Sequence, residues 1–417
     1  MIIYQVLTRL FSTGRFSSFN NDGLKYIKSL SVTHIWYTGV IRHSENKTFV
    51  KGDWGSPYSI SNYYDVNPYL ADVPSERLFE FCSLIERTHA AGMKVIIDFV
   101  PNHVSPDYTD EHGGLKTLHR HDYDWTDTDK VDYSCSLNWY KMLDIIRYWA
   151  ELGVDGFRCD MAELVPIEFW HFLISNIKAE FPNLLFIAEV YQKDNYRKFI
   201  EDALFDKLYD KSGLYDTLRA LTCGYGSARG ITANWQSLGD LQPKMLNFLE
   251  NHDEQRLASK EFAGSAASGY AALAVSALFY PAAFMLYAGQ EIGEDAADGV
   301  DGRTSIFSHT RPIDISCLSK EQKNILEVYR KVLKLKSSME RASNFDLCYC
   351  QSPILGFDPD HHFVFLRKGK SHDYLVACNF SHTKASIVLN VPSEAASRFS
   401  SEVNVDILPM DFTILTK

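Results

Sequence analysis

Four short stretches of this sequence end in groups able to do acid–base and nucleophilic chemistry. They are Ile97-Asp98-Phe99-Val100-Pro101-Asn102-His103, Gly156-Phe157-Arg158-Cys159-Asp160, Phe186-Ile187-Ala188-Glu189 and Phe248-Leu249-Glu250-Asn251-His252-Asp253. Each combines an apolar run with at least one carboxylate in it or at its end, and His103, Arg158 and His252 accompany them. Taken singly, each has a plain structural reading. Asp98 caps a turn, Arg158 and Asp160 form an ion pair on one strand face, Glu189 pairs with a lysine, and Asn251-His252-Asp253 is a hydrogen-bonded loop. Taken together they suit cleavage of a glycosidic bond. That reaction needs one carboxylate to attack the anomeric carbon and a second, protonated one to assist the leaving oxygen. A guanidinium beside the nucleophile keeps it ionised. Imidazole N–H groups can hold sugar hydroxyls, and the 23 Tyr, 26 Phe and 7 Trp supply rings for pyranose faces.

The elements that must position these groups alternate for about 340 residues. Strand-like runs fall at Ile2–Leu7, His34–Thr38, Lys94–Val100, Gly156–Cys159, Leu185–Glu189, Met245–Leu249 and Phe284–Ala288, with a weaker sixth-in-order strand near Leu204–Leu208. Unbroken apolar runs such as Val95-Ile96-Ile97 mark strands buried on both faces, as in parallel sheets. Between them lie helical patterns: Leu78, Phe81, Cys82 and Ile85 after Pro74; Trp139, Met142, Leu143, Ile146 and Ala150 before Gly153 as a left-handed cap. Ser319 and Gln322 read as a capping box opening a last helix. Eight such units predict a (β/α)8 TIM barrel, whose catalytic groups project from the C-terminal ends of strands. Asp98, Asp160, Glu189 and Asp253 would then meet at one rim. An open doubly wound sheet is the alternative, but no Gly-rich phosphate turn follows the first strand.

Two stretches break the alternation. Residues 104–135 are polar and too long for an ordinary loop after strand three, so they read as a functional insertion. Beyond the barrel, residues 1–340, the pattern in 341–417 changes to short β-like runs such as Phe363-Val364-Phe365-Leu366, predicting a C-terminal antiparallel β domain of sandwich-like form.

In order and spacing the four stretches resemble the signature regions of the α-amylase family (glycoside hydrolase family 13). Tyr58-x-x-x-Asn62-Tyr63-Tyr64 and Tyr287-Ala288-Gly289-Gln290-Glu291 resemble its segments after strand two and at strand eight. The resemblance implies Asp160 as the nucleophile, Glu189 as the general acid/base and Asp253 as the carboxylate that holds sugar hydroxyls and stabilises the transition state. It implies Tyr58, Asp98, His103, Arg158 and His252 as substrate-binding groups. It implies no cofactor for the chemistry, with a structural Ca2+ at Asn102 left open because the insertion that carries much of that site in relatives is short here. Leu164, where many amylases have His, and Met161 also depart from the usual pattern. The implied activity is a retaining α-glycoside hydrolase on α-glucans or maltooligosaccharides. A transglycosylase, isomerase or α-glucosidase of the same family, or a non-catalytic carbohydrate-binding relative, are the alternatives.

Composition bounds the partners. With 42 Lys+Arg against 53 Asp+Glu and a net charge of −11, the chain lacks the basic surface that a nucleic acid requires. The apolar stretch Ala271–Ala288 is interrupted by Pro281 and reads as a buried helix running into a buried strand, not as a membrane span. Eight scattered cysteines and an opening without a basic, signal-like segment suggest a cytoplasmic protein with reduced thiols. The expected partner is an α-linked oligo- or polysaccharide; the oligomeric state is not legible.

Overall fold

Eight strands buried on both faces leave no polar edge if they close on one another. They are β1 (Ile2–Leu7), β2 (His34–Thr38), β3 (Lys94–Phe99), β4 (Gly156–Cys159), β5 (Leu185–Ala188), β6 (Lys207–Tyr209), β7 (Met245–Phe248) and β8 (Ala283–Tyr287). They form a closed parallel barrel in chain order, with β1 pairing both β2 and β8. The structure, a computed structural model, describes residues 1–299, 301–308, 310–339, 343–350 and 355–417. The expected (β/α)8 barrel is therefore present. The sixth strand is displaced from its expected place near Leu204–Leu208: Leu204 takes a left-handed φ of +71° in the preceding turn, and only three residues pair.

Helices α1 (Asn21–Ser29), α2 (Arg77–Ala90), α3 (Ser136–Glu151), α4 (Ile167–Glu180), α5 (Tyr196–Glu201), α6 (Asp216–Thr222), α7 (Arg229–Leu238), α8 (Tyr270–Leu278) and α9 (Lys320–Met339) accompany the barrel. Their ends follow the sequence signals. Ser319 Oγ accepts from Gln322 N at 3.1 Å while Gln322 Oε1 accepts from Ser319 N at 2.9 Å, a reciprocal capping box ahead of α9. Gly153 takes φ +100° after α3. Helix α8 is buried from Ala271 to its end and leads into β8, as read from the apolar stretch. Among the described residues no helix is long and apolar enough to cross a membrane.

The C-terminal strands are β9 (Ser343–Asp346), β10 (His362–Lys368), β11 (Asp373–Asn379), β12 (Ala385–Asn390), β13 (Glu402–Ile407) and β14 (Phe412–Thr416). An antiparallel sheet β9-β10-β11-β14 lies between the barrel and the pair β12-β13. The two-residue period of a strand sorts its side chains. Phe363, Phe365, Val376 and Cys378 join the barrel core, where both Phe rings meet Phe279 with centroids 4.7 and 5.1 Å away. Val364, Leu366, Leu375 and Ala377 face Ile387, Leu389, Val405 and Ile407 instead. Arg367 is buried and donates to Leu278 O at the end of α8 and to Met339 O at the end of α9, at 2.6 and 2.7 Å. The expected boundary at 340/341 lies outside the described residues.

At Gly153 a side chain would have to adopt φ +100° and would bring its Cβ within 3.2 Å of Ile85 Cγ2. Gly153→Ala should therefore lower stability by about 1–2 kcal/mol in urea unfolding, with the slope unchanged. An unchanged midpoint would contradict this.

Candidate active site

Strand geometry brings the predicted residues together. Residues two apart on a strand share a face, so Arg158 and Asp160 point the same way from the end of β4. The barrel register sets Asp98 of β3 beside Arg158, and Arg158 beside Ile187 of β5, two residues before Glu189. The Arg158 guanidinium reaches three of the four rim carboxylates. Its Nη1 donates to Asp160 Oδ1 at 2.8 Å and to Asp98 Oδ1 at 3.4 Å, and its Nη2 lies 2.7 Å from Glu189 Oε2. The rings of Trp36, Tyr58 and Tyr209 surround it with centroids 5.3, 5.3 and 5.8 Å from its Cζ.

Glu189 is held from both sides. Met161 N donates to Oε2 at 2.8 Å and the Tyr191 hydroxyl donates to Oε1 at 2.6 Å. Met161 has a left-handed φ of +42°. Such a conformation costs a residue with a side chain about 1–3 kcal/mol and persists where surrounding structure demands it; here it turns the N–H toward Glu189. Across the site the Tyr58 hydroxyl and His252 Nε2 are 2.5 Å apart, and their rings stack at 5.2 Å. The Gln5 amide nitrogen lies 2.7 Å from His252 Nδ1. With Gln5 donating, the ring proton sits on Nε2, which is also 3.1 Å from Asp253 Oδ2.

Burial sets the charges. It pushes the Asp160 carboxyl well up; the adjacent Arg158 opposes this, while Glu189 and Asp253 add to it. Burial, then repulsion from Glu189, pushes Asp253 up to about 7, although its side chain keeps 36% exposure. Asp98 is pushed up to about 6 by burial. Burial alone would discharge Arg158, but the anionic groups around it, Glu189 foremost, keep it charged. His103 is lowered to about 4 and His252 is also held well below its ordinary value, burial being the main cause, so both rings are neutral near pH 7.

Tyr58, His103, Asp160, Glu189, His252 and Asp253 line one cavity of about 210 Å3. A second lobe of about 340 Å3 adjoins it, sharing His252, Asp253, Ile306 and Phe307 and adding Asp301 and Arg303. The structure also brings Tyr191, Lys51, Trp125, Asp127 and Phe307 to the first cavity. Tyr191 was findable, because it shares a strand-like face with Glu189. Lys51 and Phe307 come from distant loops with no local signal. Asp127, which by sequence looks like part of a solvated acidic loop, is 2% exposed.

The comparisons with known proteins agree with this geometry. Residues 21–143 match the family described as alpha amylase, catalytic domain. Alpha-amylase MalA of Haloarcula japonica is 31% identical over 316 residues, 70% of this chain and 44% of that protein. The chain belongs to the α-amylase family. Alpha-amylase 2 of Dictyoglomus thermophilum is 26% identical over 343 residues, 76% of this chain and 56% of that protein. This α-amylase-family chain thus spans about half the length of the curated relatives it matches. In fold it resembles the alpha-amylase GTA of Geobacillus thermoleovorans, solved with acarbose, at TM-score 0.78 and 19% identity, covering 100% of this chain and 97% of that one.

Calcium requires six to eight oxygen ligands, and the surroundings of Asn102 do not fit it. The Asn102 amide nitrogen donates to Asp122 Oδ2 at 3.0 Å, and Lys130 Nζ lies 3.1 and 2.7 Å from the two Asp122 oxygens. Asn102 Oδ1 is buried without a protein donor, but one such oxygen is not a cage. Among the described residues no group of three or more His, Cys, Asp or Glu could hold a metal. In this α-amylase-family chain an ammonium therefore braces the root of the insertion.

Chelator should leave the Tm unchanged, and added calcium should not raise it; a calcium-dependent rise of several degrees would overturn this reading. A second expectation concerns Asp253, whose carboxyl sits at about 7 when folded against an ordinary 3.8. Such a group costs no stability below its ordinary range, costs more as pH climbs to about 7, and a constant amount above. Asp253→Asn should therefore raise the Tm more at about pH 8 than at about pH 4. An equal change at both would contradict the raised carboxyl.

Proposed function

We propose that this chain is a retaining α-glycoside hydrolase that cleaves α-glucans or maltooligosaccharides by double displacement. The observation that carries this is the single guanidinium of Arg158 in contact with both Asp160 and Glu189 on one pocket wall, with Asp253 facing the same cavity. Asp160 is the nucleophile. Its oxygen attacks the anomeric carbon while Glu189 gives a proton to the departing glycosidic oxygen, leaving the sugar covalently on Asp160. Water then attacks the same carbon, returning a proton to Glu189 and releasing the sugar with its original configuration. Glu189 Oε2 accepts from Met161 N–H and faces Arg158, so the transferable proton belongs on Oε1. The Tyr191 hydroxyl at 2.6 Å can accept from that proton in the acid form and donate to the carboxylate in the base form.

The remaining groups bind. Tyr58 offers its ring to the pyranose face; His103 and His252, both neutral, and Asp253 hold hydroxyls. Asp98 accepts from Trp36 Nε1 at 3.2 Å and Gly39 N at 3.3 Å, which makes it a brace for Arg158 more than a sugar contact. The acarbose held by the Geobacillus relative supports an α-linked oligosaccharide as ligand.

NMR of the first product formed from an α-linked substrate tests the mechanism: the α-anomer is expected, and initial release of the β-anomer would exclude retention. Products from starch, maltotriose, isomaltose and trehalose should be shorter reducing sugars; transfer products in their place would make the chain a transglycosylase.

A further inference from the structure

The glycosidic reading leaves open where along a glucan the cut falls, and the loops on one half of the barrel rim bear on it. Residues 44–56, after β2, cross from the insertion to the loop after β8. At one end Lys51 Nζ donates to Asp124 O at 2.8 Å and lies 3.8 Å from Asp127 Oδ1. At the other end Trp54 N donates to Phe307 O at 3.0 Å. Gly52, at φ +66°, passes so close that a Cβ would lie 2.4 Å from Phe307 O. The loop after β1 joins in: Arg9 donates to Ile306 O and its guanidinium lies 6.0 Å from the Trp54 ring, while Ser12 N donates to Ile313 O at 2.9 Å. The loops after β8, β1, β2 and β3 are thus laced together.

The barrel order fixes which end of the substrate meets this lacing. Glu189 follows β5, which stands opposite β1 in the closed ring. The leaving oxygen must lie beside Glu189, so the reducing-end part of a glucan departs over that half of the rim. In a pyranose ring C4 is opposite C1. The 4-hydroxyl of the sugar being cleaved therefore points at the laced half, where Lys51, Asp127 and Phe307 form the cavity wall. Asp127 Oδ2 is buried there with no protein donor, an acceptor suited to a terminal hydroxyl. A glucan continuing through O4 would have to pass through the strap.

We propose that residues 44–56 close the glycone end of the cleft, with Lys51 and Asp127 as specificity-determining residues, so that the chain acts only from the non-reducing end of an α-glucan. This rests on the glycosidic function above, and the test separates the two. A maltoheptaose and the same sugar bearing a 4,6-O-ethylidene block on its non-reducing unit are offered to the wild-type chain, and all products are identified by mass. Loss of cleavage on the blocked sugar, with the free one shortened stepwise, is expected. Comparable cleavage of both, with internal fragments, would overturn the closed end. Binding of the same pair to Asp160→Asn by calorimetry reads the closure without catalysis: the free sugar should bind and the blocked one should not. Equal binding of the two overturns the closure, as does binding of neither. Selective binding without turnover by the wild type upholds the closure and overturns the hydrolase.

Discussion

A guanidinium taken out of water must be met by anions, or its burial is prohibitively expensive. Arg158 is wholly buried, and its neighbours are arranged around that fact. Asp98 from one strand, Asp160 from its own and Glu189 from the next converge because the parallel register places them within its reach. Aromatic rings fill the rest of its surroundings and exclude water. The arrangement holds more carboxyls than cations, which is why burial and mutual repulsion raise Asp160 and Asp253 together.

How much of this was legible in the sequence depended on how local the cause was. The apolar runs of β1 to β5 and β7 marked themselves, since strands buried on both faces tolerate few polar residues. β6 was weak because three residues carry little pattern, and its neighbour Leu204 spends its side chain on a turn. Asp160, Glu189 and Asp253 were visible because each stands just past the end of such a run, whereas Tyr58, in a loop, was marked only by the family resemblance. Asp127 was not legible as a cavity residue, because a series of aspartates in a loop does not disclose that one of its members folds inward. Lys51 and Phe307 were invisible, since their positions depend on contacts across the rim between segments some 250 residues apart.

The insertion after β3 shows the same dependence in reverse. It is too short to be a domain, and it is held by a two-residue pairing of His103–Val104 with Asp129–Lys130 and by the Lys130–Asp122 ion pair. A fixed side-chain cation needs no supply from solution and adds no concentration dependence to the fold. The compactness of the insertion also lets Trp125 and Asp127 reach the cavity directly.

Arg367 gives the C-terminal sheet a part in the barrel that its position alone would not suggest. Its guanidinium satisfies carbonyls at the ends of α8 and α9, groups that a helix terminus leaves without partners. Detaching the sheet would uncover these carbonyls and strip Phe279 of the rings packed on it. The two parts of the molecule are therefore coupled through a shared core, and a chain shortened at α9 should be less stable than the whole.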